Sequence, residues 1–287
     1  MANTREIKLK IKATNGTKKI TKAMKMMASV KLRKARENHD KTKPFFEHIQ
    51  DTMIDILTHL PNVATGYFDK REKKDSRKIG YIVITSDSGL TGSYNHNVIK
   101  LAEDIIDKET SIVFPIGNMV KNAMIKDGYT VETNIGITSY EIDMTTANKL
   151  ANQMIEFFKE GTIDELKLIY TDMRSALSLR PNIIHLLPLD KTQFETRKNT
   201  TNELLELEPS PELVFEVLAN KYVKGILYGG MIEAFVSEQM ARMNAMDSAT
   251  TNAEKMVNKL TLDYNRARQA SITQEITEIV AGTTSVS

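Results

Sequence analysis

The longest stretch of this sequence without a glycine or a proline runs from Met231 to Ala281. Because glycine and proline are the residues that most often end helices, the stretch predicts one continuous helix. Its 51 residues, at 1.5 Å per residue, would span about 75 Å. No small domain covers a helix of that length, so the fold must supply a partner that runs beside it.

The same stretch carries a regular apolar pattern. Apolar and small residues recur at alternating spacings of three and four, which is typical of a coiled-coil seam. The predicted seam consists of Met243, Met246, Thr250, Ala253, Val257, Leu260, Tyr264 and Ala267. Upstream, the proline-containing segment 207–212 places Ser210 as the N-cap of this helix. Gly225, Gly229 and Gly230 each lower helix propensity by about 1 kcal/mol relative to alanine, so the helix could bend there.

The N-terminal region is the partner that the chain itself offers. Residues 4–60 have a helical period, and Pro44 should kink or interrupt the helix, giving one bent helix or two in series. Two stretches fit a 3,4 repeat: Ala13, Gly16, Ile20, Ala23, Met27 and Val30, then Phe46, Ile49, Met53, Ile56 and Leu60. We therefore predict that the two chain ends form a long antiparallel coiled coil, with the first set facing the C-terminal helix.

The middle of the chain follows a different pattern. Residues 61–78 have the composition of an exposed linker, and from residue 79 short β-branched runs alternate with helical ones. Strands are predicted at 79–85, 110–117, 129–135, 165–173 and 182–189, and helices at 94–107, 118–126 and 145–160. This alternation predicts an inserted, Rossmann-like α/β domain with a largely parallel sheet. The predicted domains are 1–60, 61–78, 79–206 and 207–287.

Charge is distributed very unevenly along the chain. Residues 1–36 hold twelve Lys or Arg and one acidic residue, Glu6, whereas the whole chain has a net charge of only +2. Like charges one turn apart oppose helix formation, so an acidic partner is expected near this segment. Nucleic acid, an anionic membrane surface and an acidic protein surface all satisfy that requirement. A cleaved transit peptide is disfavoured, because the segment is rich in Lys and contains one serine, Ser29.

The sequence offers little for catalysis. Cysteine is absent, no apolar run reaches the roughly 18 residues of a membrane span, and the five histidines are neither paired nor clustered with carboxylates, so we predict no metal and no cofactor. The turn 85–97 follows a strand but lacks both glycine-rich phosphate-binding fingerprints. Asp87 and His96 would form half of a catalytic set without a nucleophile. A nucleotide-binding enzyme using 87–97 and a basic coiled-coil nucleic-acid-binding protein remain as alternative hypotheses.

Four segments carry longer motifs. They are "EIKLKIKATNGTKKITKAMKMMASVKLRKAR" (6–36), "VITSDSGLTGSYNHNV" (83–98), "VSEQMARMNAMDSATTNA" (236–253) and "YNRARQASITQEITEIVAG" (264–282). The first and the last of these segments resemble the two end signatures of the γ subunit of F-type ATP synthase. The second resembles the SDRGLCGxxN motif of that family, and the third resembles its ASEQAARMxAMxxATxNA motif. The chain departs from that family at Ser88, Thr91 and Gly16 and has glycines at 229 and 230 within a helix.

The resemblance implies a non-catalytic central stalk, or rotor shaft. Such a subunit couples ion-driven rotation of the c-ring to conformational changes of the catalytic β subunits during ATP synthesis or hydrolysis. It implies as partners the α and β subunits of an α₃β₃ hexamer, the ε subunit and the c-ring, with one copy per complex. It also implies a peripheral, indirect membrane attachment through the c-ring, on the cytoplasmic face of a bacterial membrane.

The resemblance further assigns partner-facing residues. Acidic loops of the β subunits are expected near Lys18, Lys22, Lys25, Lys31 and Arg33. Other parts of the hexamer are expected near Arg242, Arg268, Gln269, Thr273 and Glu275. An apolar tip that rotates inside an apolar sleeve at the top of the hexamer is expected to consist of Ile272, Ile276, Ile279 and Val280. Leu207 and Glu208 match the foot that meets the c-ring and ε.

Overall fold

The computed structural model describes residues 4–68, 77–134, 136–140, 142–175, 178–194 and 207–284. Along the chain the elements are α1 (Thr4–His59), β1 (Ile79–Ile84), α2 (Tyr94–Ile105), β2 (Ser111–Ile116), α3 (Asn118–Lys126), α4 (Met144–Glu160), β3 (Glu165–Met173), β4 (Leu179–Leu187), a short 3-10 helix (Lys191–Phe194) and α5 (Pro211–Thr284). Parts of the predicted linker (69–76) and of the predicted α/β domain (195–206) lie outside the described residues. The chain divides into two compact units, Met1–Ser29 with Arg242–Ser287, and Val30–Ala241.

The larger unit contains a four-stranded sheet in the order β2-β1-β3-β4. β1 pairs in parallel with β2 and with β3, whereas β4 pairs antiparallel with β3. The predicted mixture of helices and a mostly parallel sheet is therefore confirmed. The prediction of a full strand at 129–135 is wrong: the described part of that segment makes one bridge, from Val131 to Val113. Among its described residues, the backbone of Thr130 and of Glu132 bonds to Val113 on β2, and two such bonds are too few for a ladder.

One face of the sheet carries a closed apolar core with α2 and α3. The buried members of this cluster are Tyr81, Val83, Val98, Ala102, Ile106, Val113, Val120, Met124 and Ile169. These residues occupy alternate positions along the strands and recur at helical spacing on α2. A strand with a period of two and a helix with a period of 3.6 each place such residues on one face. Burial of each large side chain contributes about 1.5–3 kcal/mol relative to exposure. This core holds the parallel part of the sheet together.

Within this unit, helix α5 lies against β3 and α2. The Ser237 hydroxyl donates to the Thr171 carbonyl at 3.0 Å, and the Tyr94 hydroxyl donates to the Ala234 carbonyl at 3.1 Å. A methyl group built at Gly230 would overlap the side chain of Leu168 on β3. The glycine thus permits a close approach of helix and sheet, and α5 continues through it without ending.

The C-terminal half of α1 belongs to the same unit and confirms the second predicted 3,4 stretch. Ile49, Met53 and Ile56 are buried, and Phe46 and Leu60 are half-buried. Of the two arrangements considered around Pro44, the structure has the single helix, because α1 continues through this residue. Helix α5 begins after Ser210, whose hydroxyl accepts the N–H of Leu213 at 3.3 Å, as the predicted N-cap requires.

A half-buried carboxyl group joins α5 to β3. Glu233 accepts the backbone N–H of Met173 at 3.3 Å. Burial raises the pKa of Glu233, and the neighbouring Asp172 carboxylate raises it further, while the Met173 bond lowers it. An acid whose pKa is raised in the folded state binds its proton more tightly there than in the unfolded chain. Its stabilising contribution is full below the unfolded pKa and is lost as pH rises through the folded pKa.

We therefore expect Glu233→Gln to change the pH dependence of unfolding. In the natural chain, the free energy of unfolding should fall as pH rises above 4.5, the ordinary pKa of this carboxyl group, by an amount that the variant lacks. Urea unfolding followed by tyrosine fluorescence over a series of pH values from below to above the ordinary pKa measures this difference. Glu160→Gln, an exposed change on α4, is the control and should track the natural chain. Parallel pH profiles for all three chains would contradict the expectation.

In the unit formed by the chain ends, the two helices run antiparallel. The Thr21 and Thr250 hydroxyls lie 2.7 Å apart, and Thr14 lies near Met256 further along the pair. The seam predicted for the C-terminal helix is confirmed. Met246 and Ala253 are buried, and the remaining members Met243, Thr250, Val257, Leu260, Tyr264 and Ala267 are half-buried.

The seam predicted for the N-terminal helix is wrong by one residue. Ala13, Gly16, Ile20, Ala23, Met27 and Val30 are all exposed. The buried side of the first 29 residues instead carries Ile7, Thr21 and Ala28. One residue along a helix is a rotation of about 100°, which turns the larger apolar side chains to solvent. The observed register places small Thr21 and Ala28 at the close approach and brings Lys18 and Lys25 within reach of acidic residues on α5.

Candidate functional site

The paired chain ends present a basic face of α1. Lys18 forms an ion pair with Glu254 at 3.0 Å and Lys25 with Asp247 at 2.5 Å, so these two charges are neutralised within the chain. Lys22 lies one turn from each, is exposed, and makes no ion pair with any residue that the structure describes. Further exposed lysines on this helix are Lys8, Lys12 and Lys19. The face therefore keeps excess positive charge after its internal pairs are made.

Exposed apolar side chains accompany these lysines. Ile20 is 62% exposed, Met26 63% and Met27 60%, and Leu9 is similarly open. Ile20, Met26 and Met27 lie within about two turns of one helix, and a cluster of exposed apolar side chains among lysines is typical of a protein contact surface. Of these residues, Ile20 and Met27 belong to the 3,4 stripe that the sequence predicted as the seam, whereas Leu9 and Met26 were not predicted. The ion pairs of Lys18 and Lys25 with acidic residues on α5 agree with the register observed in the structure.

The last part of α5 is a second exposed surface. Every residue from 268 to 280 is exposed, including the predicted partner-facing residues Arg268, Gln269, Thr273 and Glu275. The predicted apolar tip is also open to solvent: Ile272 is 45% exposed and Ile279 67%, with Ile276 and Val280 between them. Four large β-branched side chains on one exposed helical segment favour a contact with another protein over a free surface.

The remaining predicted site residues are more enclosed or locally engaged. Arg242 is 8% exposed, so little of its guanidinium is open to a partner. In the larger unit, the Lys31 ammonium lies 5.1 Å from the centre of the Tyr140 ring, and Arg33 lies 3.9 Å from the Glu37 carboxylate. Leu207 is half-buried and Glu208 is exposed, just before α5 begins.

The turn after β1 is filled by its own side chains. Asp87 accepts the N–H of Asn118, where α3 begins, at 3.0 Å, and both the N–H and the hydroxyl of Ser139, at 2.8 and 2.9 Å. Asn95 accepts from the N–H and the hydroxyl of Ser86 and donates to Thr91. The α3 N-terminus is thus capped by a carboxylate, which occupies the position that a phosphate would take. This geometry opposes the nucleotide-binding hypothesis.

Among the residues that the structure describes, no helix has an apolar stretch long enough to cross a membrane. In that same part of the chain, no group of three or more His, Cys, Asp or Glu side chains is arranged to hold a metal ion.

The chain is similar to members of one protein family along nearly its whole length. The family model described as ATP synthase matches residues 3–286. The chain is 41% identical to the ATP synthase gamma chain of Acetivibrio thermocellus over 290 residues, covering 98% of both chains, and 40% identical to that of Caldicellulosiruptor saccharolyticus over 287 residues, again covering 98% of both.

Solved structures share the fold. A chain from the central stalk and c-ring of Tetrahymena thermophila mitochondrial ATP synthase superposes with a TM-score of 0.58 at 23% identity, covering 80% of this chain and 99% of that one. A chain from the Euglena gracilis mitochondrial enzyme superposes with a TM-score of 0.55 at 17% identity, covering 92% and 95%. Full-length identity of about 40% to gamma chains, together with the family match, shows that this chain belongs to the ATP synthase gamma chain family.

Proposed function

We propose that this chain is the central rotor shaft of an F-type ATP synthase, a non-catalytic subunit that couples rotation of a c-ring to ATP synthesis or hydrolysis. The observation that carries the proposal is the antiparallel pair of chain ends, which exposes a basic and apolar face on α1 and an apolar tip on α5. Membership of the gamma chain family supports it. The family comparisons give no support to a nucleic-acid-binding function.

The coupling works through differences in contact energy. A shaft whose two sides differ in charge and shape contacts each β subunit differently at each angle, and a ligand shifts a conformational equilibrium only by its differential affinity for the states. Exposed ion pairs contribute about 0–1 kcal/mol each, which is enough to bias a conformation and weak enough to release it. Lys22, Lys31 and Arg33 are suited to such weak contacts, because the rotating shaft would bring them to the acidic loops of the three β subunits one after another.

The finer assignments follow from the same proposal. The chain ends form a coiled coil inside an α₃β₃ hexamer, one copy per complex, and 79–206 is a Rossmann-like domain inserted between the helical regions 1–60 and 207–287, after the linker 61–78. Arg268, Gln269, Thr273 and Glu275 face the hexamer. The foot, Leu207 and Glu208, meets the c-ring and ε, which hold the chain indirectly at the cytoplasmic face of the membrane.

Charge reversal at Lys22 tests this function. Because Lys22 is exposed and unpaired among the described residues, Lys22→Glu should change the free energy of unfolding by less than about 0.5 kcal/mol. Coupling should nevertheless weaken, with ATP synthesis per unit of ion gradient falling about two- to fivefold. The measurement is ATP synthesis by reconstituted complexes under a fixed gradient.

Two controls distinguish the loss of a contact with the catalytic subunits from a loss of folding. Lys100→Glu reverses an exposed charge on α2 and should leave coupling unchanged. Lys25→Glu removes the ion pair with Asp247, and the double variant Lys25→Glu with Asp247→Lys restores an internal pair. If Lys22→Glu couples as well as Lys100→Glu, the basic face does not contact the catalytic subunits.

A further inference from the structure

Helix α1 carries two competing stripes in the unit formed by the chain ends. The apolar stripe, which was predicted as the seam, consists of Ala13, Gly16, Ile20, Ala23, Met27 and Val30, and all six are exposed. The inward stripe faces α5 and has Lys18, Thr21 and Lys25 at its centre. Burial of apolar side chains usually sets the register of a helix pair, and here it favours the apolar stripe. A feature of the inward stripe must therefore outweigh it.

The two ion pairs of the inward stripe do not account for the choice. Lys18, one turn before Thr21, pairs with Glu254. Lys25, one turn after Thr21, pairs with Asp247. The four charged side chains are between 36% and 59% exposed, and ion pairs as exposed as these add little to stability. They flank the contact at Thr21 and are consistent with the register without fixing it.

The contact between these ion pairs is a pair of threonine hydroxyls. Thr21 is 7% exposed and Thr250 is half-buried, and their Oγ1 atoms lie 2.7 Å apart. Each hydroxyl has one proton and also lies near a carbonyl of its own helix, at 2.7 Å from Thr250 to Met246 and at 3.1 Å from Thr21 to Lys18. Thr250 makes the shorter of these two bonds, so it donates to Met246 and accepts the proton of Thr21. The Thr250 oxygen thus receives a donor from α1 when Thr21 faces it.

A shift of α1 by one residue would break this arrangement. Ile20 is displaced from Thr21 by about 100° around the helix, so the shift would bring Ile20 opposite Thr250. The Thr250 oxygen would then pack against an apolar side chain and lose its donor. Enclosing a polar group without its partner is costly, and one polar seam residue can fix the register of a coiled coil at the expense of stability.

We propose that Thr21 and Thr250 are positioning residues that select the register of the paired chain ends. Their hydroxyl bond keeps the apolar stripe outward, so that Ile20 and Met27 remain exposed. Without the bond, the apolar stripe turns towards α5 and these two side chains leave the outer face. The register is a property of the chain itself. Its consequence for coupling rests on the proposed rotor function, because the register decides which residues of α1 reach the catalytic subunits.

Single cysteines can report the register, because the natural chain contains none. Ala28 is 1% exposed on the inward side of α1, whereas Ala23 belongs to the exposed apolar stripe. Ala23→Cys and Ala28→Cys are introduced separately into the full-length chain, and the rate of reaction with a maleimide dye is measured for each. Because the reaction requires access to the thiol, position 23 should react about tenfold faster than position 28.

Removing both hydroxyls tests the positioning role. Thr21→Val with Thr250→Val keeps the shape of the side chains, and the ratio of the two rates should fall at least about fivefold as position 23 becomes protected and position 28 becomes open. The denaturant midpoint should not fall, because replacing both partners of a hydrogen bond by apolar groups of the same shape is nearly neutral. A merely structural role would leave the ratio unchanged.

Two further variants identify the hydroxyls as the cause. Thr21→Ser with Thr250→Ser retains both hydroxyls and should keep the natural ratio. Thr17→Val with Thr261→Val is the matched control, because each of these threonines is exposed and donates to a carbonyl of its own helix. This control should also keep the natural ratio. If the first valine pair unfolds, Thr250→Val alone removes the acceptor and should lower the ratio in the same direction.

An unchanged ratio in a folded variant that lacks the hydroxyl bond overturns the proposal. An equal fall in the serine pair also overturns it, because packing of the methyl groups would then set the register. The rates are measured on the chain without any partner, so neither result bears on the rotor function, which is judged by recovery of α and β subunits with the natural chain.

Discussion

Replacing Asp87 with alanine is expected to lower the free energy of unfolding of the sheet-containing unit by about 2 kcal/mol. The carboxylate accepts three hydrogen bonds from residues 31 and 52 positions away, Asn118 and Ser139. Hydrogen bonds to a charged group contribute about 1.5–3 kcal/mol each when buried, and partial exposure of Asp87 reduces the sum. Urea unfolding followed by tyrosine fluorescence measures the loss, since the chain has no tryptophan.

Asp107 provides a matched control for Asp87. Its carboxylate also accepts bonds, from the Glu109 N–H and the Thr110 hydroxyl, both at 3.0 Å, but it joins only neighbouring residues in an exposed turn. Asp107→Ala should therefore lower the free energy of unfolding by less than about 1 kcal/mol. Similar losses for the two variants would contradict the role given to Asp87. Addition of ATP should leave the unfolding of the natural chain unchanged, because the Asp87 carboxylate already occupies the turn.

Gly225→Ala should destabilise the chain, against the usual benefit of alanine in a helix. A methyl group at this position would lie 2.6 Å from Cγ of Phe46 and closer still to another ring carbon, so α1 and α5 would have to separate locally. Overpacking of this kind costs about 1–3 kcal/mol and outweighs the gain of about 1 kcal/mol in helix propensity. The denaturant midpoint should fall without a change in slope.

Gly229→Ala on the same helix is the matched control. Apart from its chain neighbours and its own helix backbone, no described heavy atom lies within 4 Å of a methyl carbon built there, so only the propensity term acts. The midpoint should rise, corresponding to a gain of up to about 1 kcal/mol. If both variants shift the midpoint in the same direction, close packing of Phe46 is not the reason that position 225 requires a glycine.

Elements were predictable where periodicity is strong and local. The strands Ile79–Ile84, Ser111–Ile116 and Glu165–Met173 and the start of α5 after Ser210 follow from β-branched runs and a cap. The segment around Val131 had the composition of a strand, but it meets β2 at one position and cannot extend the ladder. Whether such a segment pairs depends on the neighbouring edge, which is not encoded in its own residues.

The register of the N-terminal seam was not predictable from hydrophobicity. Two 3,4 stripes one residue apart exist on α1, and the more apolar one, with Ile20 and Met27, faces solvent. Thr21 and Ala28 were overlooked because they are small, although small residues are what a close helix pair requires. Matching Lys18 and Lys25 to Glu254 and Asp247 would have identified the register, since the spacing of seven is the same on both helices.

The candidate surfaces were partly visible in the sequence. An excess of positive charge in residues 1–36 predicted an acidic partner, and the resemblance to the γ subunit family implied that the β subunits are this partner. Equal spacing allows Lys18 and Lys25 to pair with Glu254 and Asp247, but nothing in the sequence showed that Lys31 lies against the ring of Tyr140, far away in the chain. Such features arise from contacts over long sequence separations.

Native mass spectrometry of the complex isolated from native membranes through a tag on this chain tests the central claim most directly. The rotor account predicts one copy of this chain together with three α and three β subunits, with ε and the c-ring retained under gentle conditions. Recovery of the chain alone, or with nucleic acid and without α and β subunits, would contradict it.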